Sequence, residues 1–224
     1  MRFVDLGRMS FREAHQRQEE AVAAIAAGEM EETVHLVEHP HTFTVGRAGD
    51  AANLLAREDW EGNPIDLVRI SRGGDVTYHG PGQLVGYPHL DLRRRGRDVH
   101  RYLRDLEQAL INAASALGLE GYRRQGYTGV WTEQGKLASI GVGVRRWVTF
   151  HGFALNVSTD LRYFELMNPC GLPDCPMTSL TRLLAASGED SALRDDSFPL
   201  DRAKELVKQA LLQVFSPATK TTTT

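Results

Sequence analysis

Apolar and polar positions alternate along the chain in two periods, and the switches between them mark out helices and strands. Ser10 and Glu13 stand three residues apart at the head of an apolar stripe (Ala14, Ala21, Val22, Ile25) that stops at Gly28, which predicts a capped helix. Residues 33–38 and 42–45 read as short strands separated by His39-Pro40, and residues 66–70 as a third. A turn-rich stretch runs from Gly73 to Gly82, followed by a strand-like run over 84–92. Asp98 opens the clearest helix: Val99, Tyr102, Leu103, Leu106, Leu110, Ala113 and Leu117 follow the 3.6-residue period, and Gly118 ends it. Residues 127–132, 137–144 and 147–157 read as successive strands. In the last, Trp147, Thr149, His151, Phe153, Leu155 and Val157 fall on one face. A short helix is expected over 179–186, a polar acidic surface loop over 187–197, and a final helix from Pro199 through Ala203, Leu206, Val207, Ala210, Leu211 and Val214. The threonine tail, about 217–224, should fray.

No internal repeat and no linker divides this pattern, so residues 1–224 are expected to form one domain. Strands and helices mix without strict alternation. That favours an α/β fold of the α+β type, a mixed β-sheet flanked by helices, over a doubly wound parallel sheet. Composition is ordinary for a globular chain, with 42% apolar and 25% charged residues. A net charge of −3 and a pI near 6.2 argue against a general nucleic-acid binder. Asp5 and Arg8 interrupt the N-terminal stretch, which therefore lacks a signal-peptide core, and no run is long enough to span a membrane. A cytoplasmic protein with reduced thiols is expected.

Cysteine and lysine usage sharpens the picture. There are two cysteines, Cys170 and Cys175, and four lysines against 22 arginines; Lys136 is the only lysine before Lys204. An ammonium can give and take a proton near neutral pH, whereas a guanidinium cannot. Cys170 sits in Asn168-Pro169-Cys170-Gly171, a context that suits a loop and leaves its sulfur presented as a thiolate nucleophile. Two other fates are open to it: a small buried hydrophobe, or one ligand of a metal site needing histidines from elsewhere. If the Lys136 ammonium lay about 4 Å from Cys170, the attraction would be about 4 kcal/mol at an effective dielectric of 20. That would lower the thiol pKa by roughly three at most. Four glycines interleaved with polar residues between Arg72 and Gln83 let backbone approach a ligand closely. This stretch fits neither a dinucleotide fingerprint nor a P-loop, and it would also serve as a plain tight hairpin. Arg93, Arg94, Arg95, Arg97, Arg101 and Arg104 form a basic stretch, either a solvated helix face or a steering patch for an acidic partner.

Taken in order, four blocks resemble the lipoyl(octanoyl) transferase family: residues 72–92 (RGGDVTYHGPGQLVGYPHLDL), 136–141 (KLASIG), 151–157 (HGFALNV) and 168–172 (NPCGL). With residues 39–47 the resemblance covers most of 30–180. It implies a lipoate/biotin protein ligase-like fold and a Cys–Lys dyad, Cys170 and Lys136. It also implies an acyl site lined by Arg72, Gly73, Gly74, Asp75, Val76, Thr77, Tyr78 and His79, by Ser139, Ile140 and Gly141, and by Gly152, Phe153 and Ala154. The implied reaction moves an octanoyl group from octanoyl-acyl carrier protein to the lipoyl-domain lysine of a 2-oxoacid dehydrogenase or a glycine-cleavage H protein. It passes through a cysteine thioester and needs neither ATP nor metal. Neither nucleic acid nor membrane is an expected partner. Phe153 is placed to form the floor of the acyl pocket. Two rivals stay open: an ATP-dependent lipoate or biotin ligase, which would need groups for an adenylate and Mg²⁺, and a non-catalytic acyl-binding protein, which would have no use for the dyad.

Overall fold

A computed structural model describes residues 1–50, 53–55, 59–167, 175–187 and 199–216. The chain opens with strand β1 (Arg2–Arg8). Helix α1 (Phe11–Ala27) follows; Ser10 and Glu13 form the expected capping box, and Gly28 ends the helix at φ 80°. Strands β2 (Thr33–Glu38) and β3 (Thr42–Val45) lie where the alternation put them. A small hairpin, β4 (Asp59–Trp60) and β5 (Asn63–Pro64), precedes β6 (Asp66–Arg69), β7 (Val76–His79) and β8 (Gln83–His89). Helix α2 (Val99–Ser115) has Asp98 as its cap and buries Tyr102, Leu106, Leu110 and Ala113. Strands β9 (Gly129–Thr132), β10 (Gly135–Arg145) and β11 (Val148–Asn156) come next, then α3 (Leu180–Ser187) and α4 (Leu200–Phe215). The expected loop over 187–197 and the threonine tail lie almost wholly outside the described residues.

Six strands form one mixed sheet in the order β1-β2-β8-β11-β10-β9. The β1–β2 pair is parallel and the remaining pairs are antiparallel. One face packs under α2 and α4 in the largest core, with Val34, Leu36, Leu84, Leu155 and Val157 against Leu106, Leu110, Val207 and Leu211. The other face is covered partly by α1 and partly by a three-stranded sheet of order β6-β3-β7. The site lies under that second cover.

Two features depart from the pattern read in the sequence. The turn-rich stretch contains a strand, β7, paired antiparallel to β3 from Val45↔Val76 to Thr42↔His79. The expected single face of β11 is broken at His151, which sits at φ 56°, in the left-handed region. Phe153, Leu155 and Val157 enter the large core, whereas His151 stacks on His15 of α1, ring centroids 5.5 Å apart. Its backbone N–H donates to Gln18 Oε1 of the same helix at 2.8 Å.

Candidate active site

The register across the α1-side face builds a trough. Ser139 of β10 pairs with Ala154 of β11, Ala154 with Val85 of β8, and Val85 with Val37 of β2, so these four stand in a row across the sheet. Beside them Gly141 pairs with Gly152. At these four positions of β10 and β11 the floor carries nothing larger than a methyl or hydroxymethyl group, and His151 lines the cavity beside them. Over this floor lies a cavity of about 410 Å³.

The roof comes from the glycine-rich stretch. Arg72 is buried; its guanidinium donates to the Thr44 carbonyl (2.8 Å) and hydroxyl (3.1 Å) and to the Gly73 carbonyl (3.0 Å). Its stem crosses Gly141, where a Cβ would come within 3.0 Å of Arg72 Cδ. Gly74 turns at φ 89°, and the Gly73 N–H donates to the Val142 carbonyl at 3.2 Å, tying the roof to the edge of β10. Arg72, Gly73, Gly74, Asp75, Val76, Thr77 and His79 all line the cavity. Tyr78 does not: on a strand it points opposite to Thr77 and His79. It packs with Phe43 and Phe164 in a separate cluster, its hydroxyl 2.7 Å from His41 Nδ1.

Ser139, Ile140, Gly141, Gly152, Phe153 and Ala154 also line the cavity. The ring of Phe153, however, lies over Gly86, where a Cβ would come within 2.1 Å of it, and packs in the α2–α4 core. The far end is closed instead by Phe11, Val85 and Tyr87, which the sequence reading did not single out. Val85 carries no polar group, the Tyr87 hydroxyl is spent on His39, and Phe11 reads only as a helix's first apolar residue.

Lys136 stands at the β9 side of the cavity, half-buried, with its ammonium 5.0 Å from the centroid of the Trp131 ring. Its stem passes Gly129, which sits at φ 141°; a Cβ there would meet Lys136 Cε at 2.9 Å and the Ala138 carbonyl at 2.6 Å. Lys136 is also clamped by its backbone. Its N–H donates to the Pro176 carbonyl (2.8 Å) and its carbonyl accepts from the Thr178 N–H (3.0 Å). Behind it Glu107, fully buried on α2, accepts from the Gly129 N–H (3.1 Å) and pairs with Arg104 (2.6 Å) and Arg123 (3.1 Å). Cys170 lies outside the described residues. Met167 and Cys175, the described residues on either side of it, both line the cavity.

The histidines near the cavity are held neutral. Burial pushes His79 down to about 3, reinforced by the nearby His39 and opposed by the hydrogen bond to Gln83. Gln83 spends its amide N–H groups on the Tyr78 carbonyl and Asn156 Oδ1, so its Oε1 accepts from His79 Nδ1–H at 2.8 Å. Burial likewise brings His151 to about 3 and His39 to about 4. His39 Nδ1–H donates to the Met9 carbonyl (2.7 Å), which leaves Nε2 to accept from the Tyr87 hydroxyl (2.8 Å).

Part of the basic stretch on and before α2 is paired internally, while the side chains of Arg94 and Arg101 stay 75% exposed. Arg93 pairs with Asp91 (2.8 Å), Arg95 with Glu32, Arg104 with Glu107, and Arg97 stacks over Trp147.

The architecture is that of lipoate-protein ligases. The chain superposes on lipoate-protein ligase A bound with ATP with a TM-score of 0.69 at 15% identity, over 95% of this chain and 84% of the other. A putative lipoate protein ligase from T. acidophilum with bound lipoic acid gives 0.67 at 15% identity, over 95% and 85%. Residues 10–211 match the lipoyl protein ligase A/B catalytic domain family. Within that class the sequence is more specific. It is 57% identical to the octanoyltransferase of Geobacter sulfurreducens over 81% of this chain and 75% of that protein. The identity is also 57% to the octanoyltransferase of Syntrophotalea carbinolica, over 82% and 84%. The chain belongs to the octanoyltransferase family.

Proposed function

We propose that this protein carries an octanoyl group from octanoyl-acyl carrier protein to the lipoyl-domain lysine of a 2-oxoacid dehydrogenase or a glycine-cleavage H protein, through a thioester on Cys170. The observation that carries this reading is Lys136, held by its backbone and by the gap at Gly129, lining a cavity whose floor is Ser139, Gly141, Gly152 and Ala154. The Cys170 thiolate attacks the thioester carbonyl of the donor, and the tetrahedral adduct collapses with loss of the pantetheine thiolate. That thiolate takes a proton from the Lys136 ammonium. The acceptor's lysine amine then attacks the S-octanoyl enzyme, Lys136 takes up the proton released, and Cys170 departs as thiolate. Thioester to thioester to amide runs downhill, so this route calls for neither ATP nor metal.

The neutral histidines support the assignment of the proton carrier. His79 and His151 line the cavity but resist protonation until about pH 3, so near neutral pH they do not take the proton from Lys136. Reduced cytoplasmic thiols suit the nucleophile, and no helix of the described residues is long and apolar enough to cross a membrane.

Lys136 is the direct test. Lys136→Ala should lower octanoyl transfer by about 10²-fold or more. Lys136→Arg should not restore it, because a guanidinium keeps its proton. Wild-type turnover by Lys136→Arg, measured with octanoyl-carrier protein and a lipoyl domain, would mean that charge alone is needed and would remove the proton-carrier role.

A further inference from the structure

The floor of the cavity changes from small to large side chains between β11 and β8. Across β10 and β11 it is Ser139, Gly141, Gly152 and Ala154, and at the next strand, β8, it rises to the branched Val85 and the ring of Tyr87. Phe11 stands over that step. It is 1% exposed, lines the cavity, and packs in one cluster with Val37, Val85, Tyr87 and Ala154. Its position is fixed by the capping box that starts α1 and by the rings of His39 and His79, centroids 5.4 and 5.9 Å from its own. From β10 to β8 is two strand spacings, about 9.5 Å, which matches the length of an extended eight-carbon acyl group.

We propose that Phe11, backed by Val85, is the stop that sets acyl chain length: the terminal methyl of an eight-carbon chain meets the Phe11 ring, and longer chains collide with it. The inference rests on the octanoyl-transfer reading and deepens it by naming the residue that selects the substrate. The small floor accepts methylenes as far as β8, and each one buried is worth about 0.8 kcal/mol, roughly fourfold in affinity. Beyond β8 the gain ends and steric exclusion begins. Phe153 cannot serve as this stop, because its ring lies on the other face of the sheet.

The test is competition among hexanoyl-, octanoyl-, decanoyl- and dodecanoyl-carrier protein, with a lipoyl domain as acceptor and kcat/KM read for each donor. Wild type should peak at octanoyl. Phe11→Ala should raise the dodecanoyl-to-octanoyl ratio by roughly tenfold or more, with Phe11→Leu moving it the same way by less. Phe11→Trp should move the peak toward hexanoyl. If the alanine variant does not fold, the leucine and tryptophan variants decide. Folded Phe11→Leu and Phe11→Trp proteins with the wild-type length profile would overturn the stop while leaving octanoyl transfer standing. A wild type that transfers no acyl group from any donor would overturn the functional reading itself.

Discussion

The histidines show how single residues tie this site to its surroundings. His39 is held at about 4, and His79, His89 and His151 at about 3, in each case chiefly by burial. An unfolded histidine titrates near 6.5. Above that pH both states are neutral and the fold keeps its full stability. As pH falls below 6.5 the unfolded chain takes up protons that the fold refuses, so stability drops until the folded values are reached. Each such residue should withdraw at most about 2 kcal/mol between pH 7 and pH 5. Urea denaturation should therefore show a clearly lower midpoint at pH 5 than at pH 7; equal midpoints would mean that these rings are protonated in the fold. The sequence placed His79 in a ligand-facing stretch but could not give its protonation state. That state follows from Gln83 and Asn156, which only folding brings alongside it.

At the scale of elements, β9 and α2 form the mount for Lys136. Glu107 binds the Gly129 N–H and two arginines while fully buried, and Gly129 leaves the gap through which the lysine stem runs. Glu107→Gln removes the charge that both guanidiniums face. Because both guanidiniums keep contact with water and the Gln oxygen can still accept from Gly129, it should cost about 1 kcal/mol and lower Tm by a few degrees. An unchanged thermal melt would show that the pair is spent on solvent. Most elements were legible in the sequence because their signals are local. The Ser10–Glu13 box, the Asp98 cap and the 3.6-residue stripe of α2 all depend on near neighbours. Strand β1 was not legible: its burial is shallow and its polar positions give no alternation, so only parallel pairing to β2 makes it a strand. The reversal at His151 was hidden for a related reason, since a left-handed residue inside a strand is stabilised by helix α1, more than a hundred residues earlier in the chain.

At the scale of the whole molecule, the fold brings together three of the blocks that the sequence singles out. The roof (72–79), the floor (139–141 and 152–154) and Lys136 meet because β8, β11 and β10 are neighbours and β7 folds over them. Motif order in the sequence pointed to these blocks. Of the far wall, Val85 and Tyr87 lie within the 72–92 block and Phe11 lies in no such block; that the three meet emerges only from folding. The same architecture is found in a lipoate-protein ligase A bound with ATP, so the fold does not by itself select a chemistry. The choice turns on whether Cys170 becomes acylated. Intact-protein mass after mixing with octanoyl-carrier protein, without ATP, measures this directly. Transfer through Cys170 predicts a single octanoyl adduct on Cys170 that is absent in Cys170→Ser and disappears when a lipoyl domain is added. No adduct, with acylation of the domain appearing only when ATP is supplied, would contradict it and mark the protein as a ligase.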